Sequence, residues 1–395
     1  KDAGIARWRI FVENNSDFWG LWSVLFPIVN GFPESGEYDI ARPSFARGGE
    51  LIPACDQKQK GRYPGSAWPM QMVSFDRAGS SVYLAGMDSQ ARAKDFVVEP
   101  IEGLDDLRYP VIYYGRRHRS FDPDPGERVY IEHYPDDMGV QGSDYPDHYP
   151  VAFGVHHGGW TEAARTYRSW ALKQRWAQAG PLSRRTDVPE SIINTGLWIR
   201  DKWVWDGVEG TPQEMNKPLL KAARKMDVPL AFHWYWWHAN PFDNQYPHFL
   251  PAREGFKERV DELKKQNILV MPYINGSSVD MNIEDFDRFE PHAVKDQVEG
   301  LRHHYYSHKA GRLLSMCGNQ AAWQDVIESL VDDIRNQYGV NAIYLDQVSG
   351  LYHELCFDKS HLHSLGGGNY WAMGNRDLLG KVKNVALRNN GRMVV

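Results

Sequence analysis

The chain has 395 residues, enough to bury a sizeable core without staples and, at about 150 residues per domain, to hold two or three domains. Its 42% hydrophobic and 24% charged residues are the balance of a globular chain and exclude a disordered one. A net charge of −6, from 45 Lys and Arg against 51 Asp and Glu, gives no reason to expect a nucleic-acid partner.

From Trp8 to about residue 158 the chain is a series of short β-type runs, among them Trp8 to Val12, Met70 to Phe75, Ser81 to Ala85 and Val111 to Tyr114, punctuated by Gly, Pro, Asn and Asp. Such runs without helical periodicity predict an antiparallel β-sandwich over 1–158. Phe18 to Val29 is apolar, but Gly20, Ser23 and Pro27 break it and it is shorter than the roughly 20 residues that cross a bilayer, so no membrane segment is expected. Ala164, Tyr167, Trp170 and Ala171 fall on one helical stripe, which places an interdomain helix and linker over 159–189.

Beyond residue 190, β-type runs alternate with amphipathic helices. The runs are Ile192 to Ile199, Leu230 to Trp237, Ile268 to Tyr273, Ala342 to Leu345 and Met393 to Val395. The helices begin at Thr211, whose Thr-Pro-Gln-Glu start forms a capping box, near Phe256, near Asn319 and at Asn375. The first three strand starts lie 38 residues apart, a suitable length for βα units, and no glycine-rich phosphate loop follows the first strand. The predicted fold is therefore an N-terminal β-sandwich followed by a (β/α)8 TIM-type barrel over 190–395, with only the first five strands in this chain. Both ends read as cut; there is no signal peptide, and a secreted or periplasmic location stays open.

In such barrels the chemistry sits at the carboxyl ends of strands. That rule selects Arg200 and Asp201 after the first strand, Trp236 and Trp237 after the second, Asn275 after the third, and Asp346 with Gln347 after the fourth. Asp346 follows Asn-Ala-Ile-Tyr-Leu, so an apolar strand delivers one carboxylate to the rim, where it serves as a nucleophile or caps the following loop. Six of the 15 tryptophans lie between Trp198 and Trp237, and flat rings with a polar edge suit sugar faces as well as cores. Ligand contact is assigned only to the strand-end pair, Trp236 and Trp237.

The segment Val348 to Gly374 is long for a βα connection and carries Asp358, His361, His363 and the triplet Gly366 to Gly368. His361 and His363 with Asp358 offer metal ligands, but their spacing matches no zinc signature, and sugar hydrogen bonding is the favoured role. Cys55, Cys317 and Cys356 lie far apart, with no CxxC pair, so neither a disulfide framework nor a thiolate zinc site is expected. His303, His304 and His308 are assigned to a solvated or subunit-facing loop.

The stretch Arg62-Tyr63-Pro64-Gly65 through Trp68, Met70 and Gln71 to Val82-Tyr83-Leu84-Ala85 and Asp88 resembles a bacterial family of glycoside-hydrolase-like proteins of unknown function (DUF6259-type). Its barrel is similar to that of endo-α-N-acetylgalactosaminidases. Ile343-Tyr344-Leu345-Asp346-Gln347, Cys356, His361-Leu362-His363, Gly366-Gly367-Gly368 and Trp371 continue the match across the second domain. The resemblance implies a retaining glycoside hydrolase acting on α-linked sugars, galactosidase or N-acetylgalactosaminidase-like, with Asp346 as nucleophile and the general acid beyond Val395. Arg200, Asp201, Trp236, Trp237, Asn275, Gln347, His361 and His363 are expected to contact the carbohydrate substrate, without a metal or other cofactor, and the oligomeric state is left open. Two other classes are weighed beside it: a non-catalytic carbohydrate-binding protein on a barrel scaffold, and a metal-dependent hydrolase using His361, His363 and Asp358.

Overall fold

The computed structural model describes residues 4–32, 39–42, 50–53, 58–101, 126–200, 212–226, 228–298, 300–307, 311–348 and 353–388. The expected runs Val111 to Tyr114 and Met393 to Val395, the cap Thr211, and His308 and Cys55 lie outside these residues. The chain divides into two compact units, one of Lys1–Gln178, Leu351–Glu354 and Ser364–Ala372, the other of Ala179–Gly350, Leu355–His363 and Met373–Val395.

In the first unit the strands are β1 (Ile5–Trp8), β2 (Val24–Phe32), β3 (Asp39–Arg42), β4 (Glu50–Pro53), β5 (Gln59–Tyr63), β6 (Met72–Arg77), β7 (Ser80–Gly86), β8 (Lys94–Ile101), β9 (Gly126–His133) and β10 (Val151–His157). Among the described residues they form two antiparallel sheets, ordered β1-β10-β7-β6-β3-β4 and β2-β9-β8-β5. Val73, Phe75 and Leu84 of the first sheet share one buried cluster with Phe96, Val98, Val129 and Ile131 of the second. Trp68 stacks on Phe96 at 5.3 Å in that cluster and donates its indole N–H to the Met72 carbonyl. The run expected at Trp8 to Val12 instead pairs over Ile5–Trp8, and Val12 makes only an isolated bridge to Tyr145. Helix α1 (Trp160–Ala171) lays Ala163 and Tyr167 on Met72, Tyr83 and Ala152.

A charged side chain lies wholly inside this unit. Lys94 has 0% exposure; its Nζ donates to Asp88 Oδ2 (2.8 Å), Gln71 Oε1 (3.0 Å) and the Arg92 carbonyl (2.8 Å). The Tyr63 and Tyr149 rings flank the same ammonium at 4.7 and 4.6 Å. A buried ammonium is tolerated only with such a full set of partners.

The second unit contains α2 (Glu190–Ile193), β11 (Leu197–Arg200), α3 (Pro212–Lys225), β12 (Leu230–Trp234), α4 (Phe256–Lys265), β13 (Leu269–Asn275), β14 (Ser278–Asp280), β15 (His303–Ser307), β16 (Gly311–Ser315), α5 (Ala321–Tyr338), β17 (Tyr344–Asp346) and α6 (Tyr370–Leu387). Strands β11-β12-β13-β17 form a parallel sheet in that order. Ile199, Phe232, Trp234, Val270, Ile274 and Leu345 on one face of it join a core with Val260 and Leu263 of α4 and Trp323, Ile327 and Ile334 of α5. Helix α5 stops at Gly339, whose φ of 64° is the left-handed C-terminal conformation that glycine adopts without a Cβ clash.

Several expected boundaries shift for physical reasons. Ile192 and Ile193 close the short helix α2, and the parallel pairing starts only at Leu197, after Gly196 has donated to the Pro229 carbonyl. The ladder between β12 and β13 ends where Trp234 meets Pro272, which has no N–H, so Tyr235 to Trp237 lie past the strand. His303 to Ser307, read as loop, is instead a strand of a small antiparallel sheet ordered β14-β16-β15. Helix α6 starts at Tyr370 rather than Asn375 and so shortens the expected loop. No helix among the described residues is long and apolar enough to cross a membrane.

Candidate active site at the ends of the parallel strands

Register fixes which side chains share the second face of the parallel sheet, because cross-strand partners point the same way. Trp198 pairs with Ala231, Arg200 with His233, His233 with Met271, Tyr273 with Tyr344, and Asn275 with Asp346. Part of this face is open: Trp198 is 42% exposed, Arg200 is exposed, and His233, Met271, Tyr344 and Asp346 are half-buried, whereas Ala231, Tyr273 and Asn275 are buried. Asp346 is the last residue of β17, as the sequence predicted for its strand end.

Two forces act on the Asp346 carboxyl. Burial raises its pKa above the usual carboxylate value, while the Gln347 backbone N–H and the Tyr344 and Tyr273 hydroxyls pull the other way without cancelling the rise. The Tyr344 hydroxyl donates to Asp346 Oδ1 at 3.2 Å. The main chain is pinned as well, since the Gly276 N–H donates to the Asp346 carbonyl at 3.0 Å. A Cβ on Gly276 would lie 2.5 Å from Val348 Cγ2 and 2.8 Å from Leu345 Cδ1, so the approach of β13 to β17 uses the missing side chain.

Gln347 follows with φ of 66°, a left-handed conformation that is uncommon for a residue with a side chain. Its amide oxygen accepts from Asn275 Nδ2 at 2.7 Å and from Ser278 Oγ at 3.2 Å, and its main-chain carbonyl accepts from Ser277 Oγ at 3.0 Å. Asn275 is fully buried, and its own amide oxygen accepts the Ser277 N–H at 2.9 Å. Asn275 was expected to bind substrate hydroxyls; its side chain is instead engaged in holding the turn after Asp346.

A ring of aromatic side chains borders the carboxylate. His233 lies 4.2 Å from the Tyr344 ring and 4.5 Å from the Tyr235 ring, centroid to centroid. Tyr235 stacks on Tyr273 at 4.9 Å, and the Arg200 guanidinium sits 5.3 Å over the Tyr235 ring. Burial, with Arg200 adding to it, pulls the His233 pKa down to about 4, so its imidazole is neutral near pH 7. Sequence reasoning singled out none of His233, Tyr235, Tyr273 and Tyr344 for the site. The alternation along Leu230 to Trp234, read against the buried Phe232 and Trp234, was the signal that puts His233 on the Asp346 face.

The remaining expected residues separate. Trp236 is half-buried, with Arg253 stacked 5.0 Å over its ring and its indole N–H donated to the Asn240 carbonyl at 3.1 Å. Trp237 is 0% exposed and donates to the Tyr273 carbonyl at 2.7 Å, so it is a core residue rather than an open sugar platform. Asp201 lies outside the described residues. A depression of about 260 Å³ elsewhere in this unit is lined by His248, Arg288 and Asp333 among others and includes none of the strand-end groups.

His361 and His363, expected at the sugar, meet the two cysteines that the spacing left apart. One donor atom from each of Cys317, Cys356, His361 and His363 can be chosen so that all four lie within 4.8 Å of one another. Cys317, Cys356 and His361 are buried and His363 half-buried, and neither cysteine is in a disulfide. Cys317 Sγ lies 3.4 Å from His363 Nε2, and Cys356 Sγ lies 3.4 Å from His361 Nδ1. The contact between the two sulfurs pushes the Cys317 thiol up and pulls the Cys356 thiol well down. Asp358 points to a different job, pairing with Lys295 at 2.7 Å and capping the turn at Ser360.

Comparison with known proteins bears on this geometry. The model of a family described as a domain of unknown function (DUF6259) matches residues 145–394. Over 401 aligned residues the chain is 26% identical to a Bacteroides thetaiotaomicron protein named "Putative glycoside hydrolase", covering 100% of this chain and 54% of that protein. It is also 26% identical to "Putative glycoside hydrolase 22789" of Monosiga brevicollis, covering 81% of this chain and 28% of that protein. The chain thus spans about half of one relative's length and about a quarter of the other's. Among solved structures it is similar to the alpha-N-acetylgalactosaminidase NagBb from Bifidobacterium bifidum in complex with GalNAc, at TM-score 0.66 and 15% identity over 94% of this chain and 59% of that one. It is also similar to the GH36 alpha-galactosidase AgaA of Geobacillus stearothermophilus, at TM-score 0.52 and 10% identity over 94% and 48%. At those identities the likeness is one of fold: antiparallel sheets with a parallel half-barrel sheet, as in these glycoside hydrolases.

Proposed function

This chain belongs to the family described as a domain of unknown function (DUF6259), and we propose that it forms part of a retaining glycoside hydrolase acting on α-linked sugars, of galactosidase or N-acetylgalactosaminidase type. The observation that carries this reading is the Asp346 carboxylate, presented at the end of the fourth parallel strand on a half-open face rimmed by Tyr344, His233, Tyr235 and Arg200. The names of the two relatives and the fold shared with the galactosaminidase and galactosidase support the same class.

In this reading residues 1–158 are a β-sandwich, 159–189 the connecting helix and linker, and 190–395 the first part of a (β/α)8 barrel whose inner face is the Asp346 face. Partial exposure of that face fits a sheet that further strands cover. Asp346 attacks the anomeric carbon and forms a glycosyl-enzyme, which water then hydrolyses. Retention needs a second carboxyl group about 5 to 5.5 Å away to protonate the leaving oxygen and later activate the water. We assign that group to the longer protein, beyond Val395. Arg200, Asp201, Trp236 and Gln347 are the proposed sugar contacts from this chain, with Tyr235 and His233 added by the geometry.

The test is turnover of aryl α-galactoside and aryl α-N-acetylgalactosaminide by the full-length protein and its Asp346→Asn variant. Loss on the order of 10³-fold or more in kcat is expected, and in an Asp346→Gly variant azide is expected to restore turnover as the glycosyl azide. Undiminished turnover in the variant ends the assignment.

A further inference from the structure

We propose that Cys317, Cys356, His361 and His363 together bind one zinc ion as a closed structural site. The inference is independent of the glycosidase reading, since it uses none of the strand-end groups.

The donor separations fit a tetrahedral cage. With Zn–S bonds of about 2.3 Å and Zn–N bonds of about 2.0 to 2.1 Å, the edges of a tetrahedral Cys2His2 site measure about 3.4 to 3.8 Å. Two of the four sulfur–nitrogen edges are 3.4 Å, and every donor separation is within 4.8 Å, so side-chain shifts of about 1 Å close the cage. Two thiolates and two imidazoles form a soft donor set that favours zinc over calcium or magnesium, which take oxygen.

The surroundings complete the case. His361 Nε2 donates to the Pro291 carbonyl at 2.9 Å, which orients the ring with Nδ1 toward Cys356, the nitrogen that would ligate the ion on losing any proton it carries. A metal-bound histidine needs this kind of outer hydrogen bond. Cys317 is held at the turn before α5, its N–H donating to the His292 carbonyl at 3.0 Å and its carbonyl accepting from Gln320 at 2.9 Å. On the other side, Phe357 donates to the Lys295 carbonyl at 2.9 Å and Asp358 pairs with Lys295, so the segment carrying three of the ligands is docked immediately after Cys356. Four protein ligands leave no open coordination position, and both sulfurs are fully buried, so the ion cross-links two chain segments rather than activating water.

The experiment uses the full-length protein purified under reducing conditions without chelator. Elemental analysis is expected to give about one zinc per chain. After exchange into cobalt, the wild type is expected to show the sulfur-to-cobalt charge-transfer and tetrahedral d–d bands of a dithiolate site. Cys317→Ser and Cys356→Ser lose both the metal and the bands, whereas His363→Cys keeps zinc in a Cys3His set. The wild-type cobalt spectrum stands even where a serine variant fails to fold. Three results overturn the proposal: no stoichiometric metal and no thiolate bands in the wild type; bands that persist in the Cys317→Ser, Cys356→Ser double variant; or a Cys317–Cys356 disulfide, seen as a two-proton mass loss, in protein that never takes up metal.

Discussion

Tyr344 and Asp346, two residues apart on one strand, share a hydrogen bond in which the phenol donates to the carboxylate oxygen at 3.2 Å. Because the donor favours the ionised carboxylate against the burial that disfavours it, Tyr344→Phe is expected to raise the Asp346 pKa further. The acidic limb of the kcat/KM profile of the full-length enzyme then moves to higher pH, while the plateau changes little. A limb that stays in place shows that Tyr344 does not tune the nucleophile.

The same raised pKa has a consequence for stability. A carboxyl that is harder to ionise in the folded state than in the unfolded chain supplies stability in its protonated form; this is fully present below the unfolded pKa and lost as pH rises through the folded one. Asp346→Asn removes that loss. Thermal unfolding at pH 7 is expected to show a higher Tm for the variant than for the wild type, with the difference shrinking below pH 4. This is the trade of stability for a charged site that enzymes commonly make.

Lys94 and Asp88 give the opposite slope. Burial alone would raise the Asp88 carboxyl, but the Lys94 ammonium and the N–H groups of Gln90 and Arg92 outweigh it and hold it below the usual range. Its contribution is present above the unfolded pKa near 4 and lost as pH falls through the folded value. Asp88→Ala leaves a buried ammonium without its counter-charge and is expected to cost about 3 to 5 kcal/mol in denaturant unfolding at pH 7. Lys94→Met with Asp88→Asn together is expected to cost less than Asp88→Ala alone.

Trp237 and Trp236 part company under mutation. Trp237→Ala is expected to destabilise the fold by about 3 to 5 kcal/mol, because it empties a fully buried indole site. Trp236→Ala is expected to raise KM with a much smaller change in Tm. Equal stability losses in the two variants would contradict the separation of core from rim.

Asn275→Ala removes the donor to Gln347 and is expected to cost about 1 to 3 kcal/mol, the range for a buried partner left unmet. It is also expected to lower kcat more than it raises KM, since the turn that carries Asp346 loses its brace. Differential scanning calorimetry and steady-state kinetics on one preparation check both.

Periodicity made much of the architecture legible. Ala164, Tyr167 and Trp170 marked α1, the Phe256, Val260 and Leu263 stripe marked α4, and the apolar run before Asp346 placed that carboxylate at a strand end. What escaped was set by tertiary pairing. Ile192 and Ile193 look like strand but bond locally after Pro189, and the end of β12 is decided by Pro272 on a neighbouring strand. Roles escaped for a related reason: Trp237 and Asn275 stand where strands end, yet packing turned one into the core and the other onto Gln347. The Cys/His cluster draws on residues 317 and 356 to 363, a proximity that only the folded chain creates.

Gly276 bears on how this protein tolerates change. It contributes no side chain, yet β13 can approach the strand bearing the carboxylate closely because a hydrogen atom stands where any other residue would press on Leu345 and Val348. Even alanine there forces the Leu345 and Val348 side chains to shift on either side of the carboxylate residue without touching it. An inactive variant at this position would therefore report lost alignment in a molecule whose chemical groups are all intact.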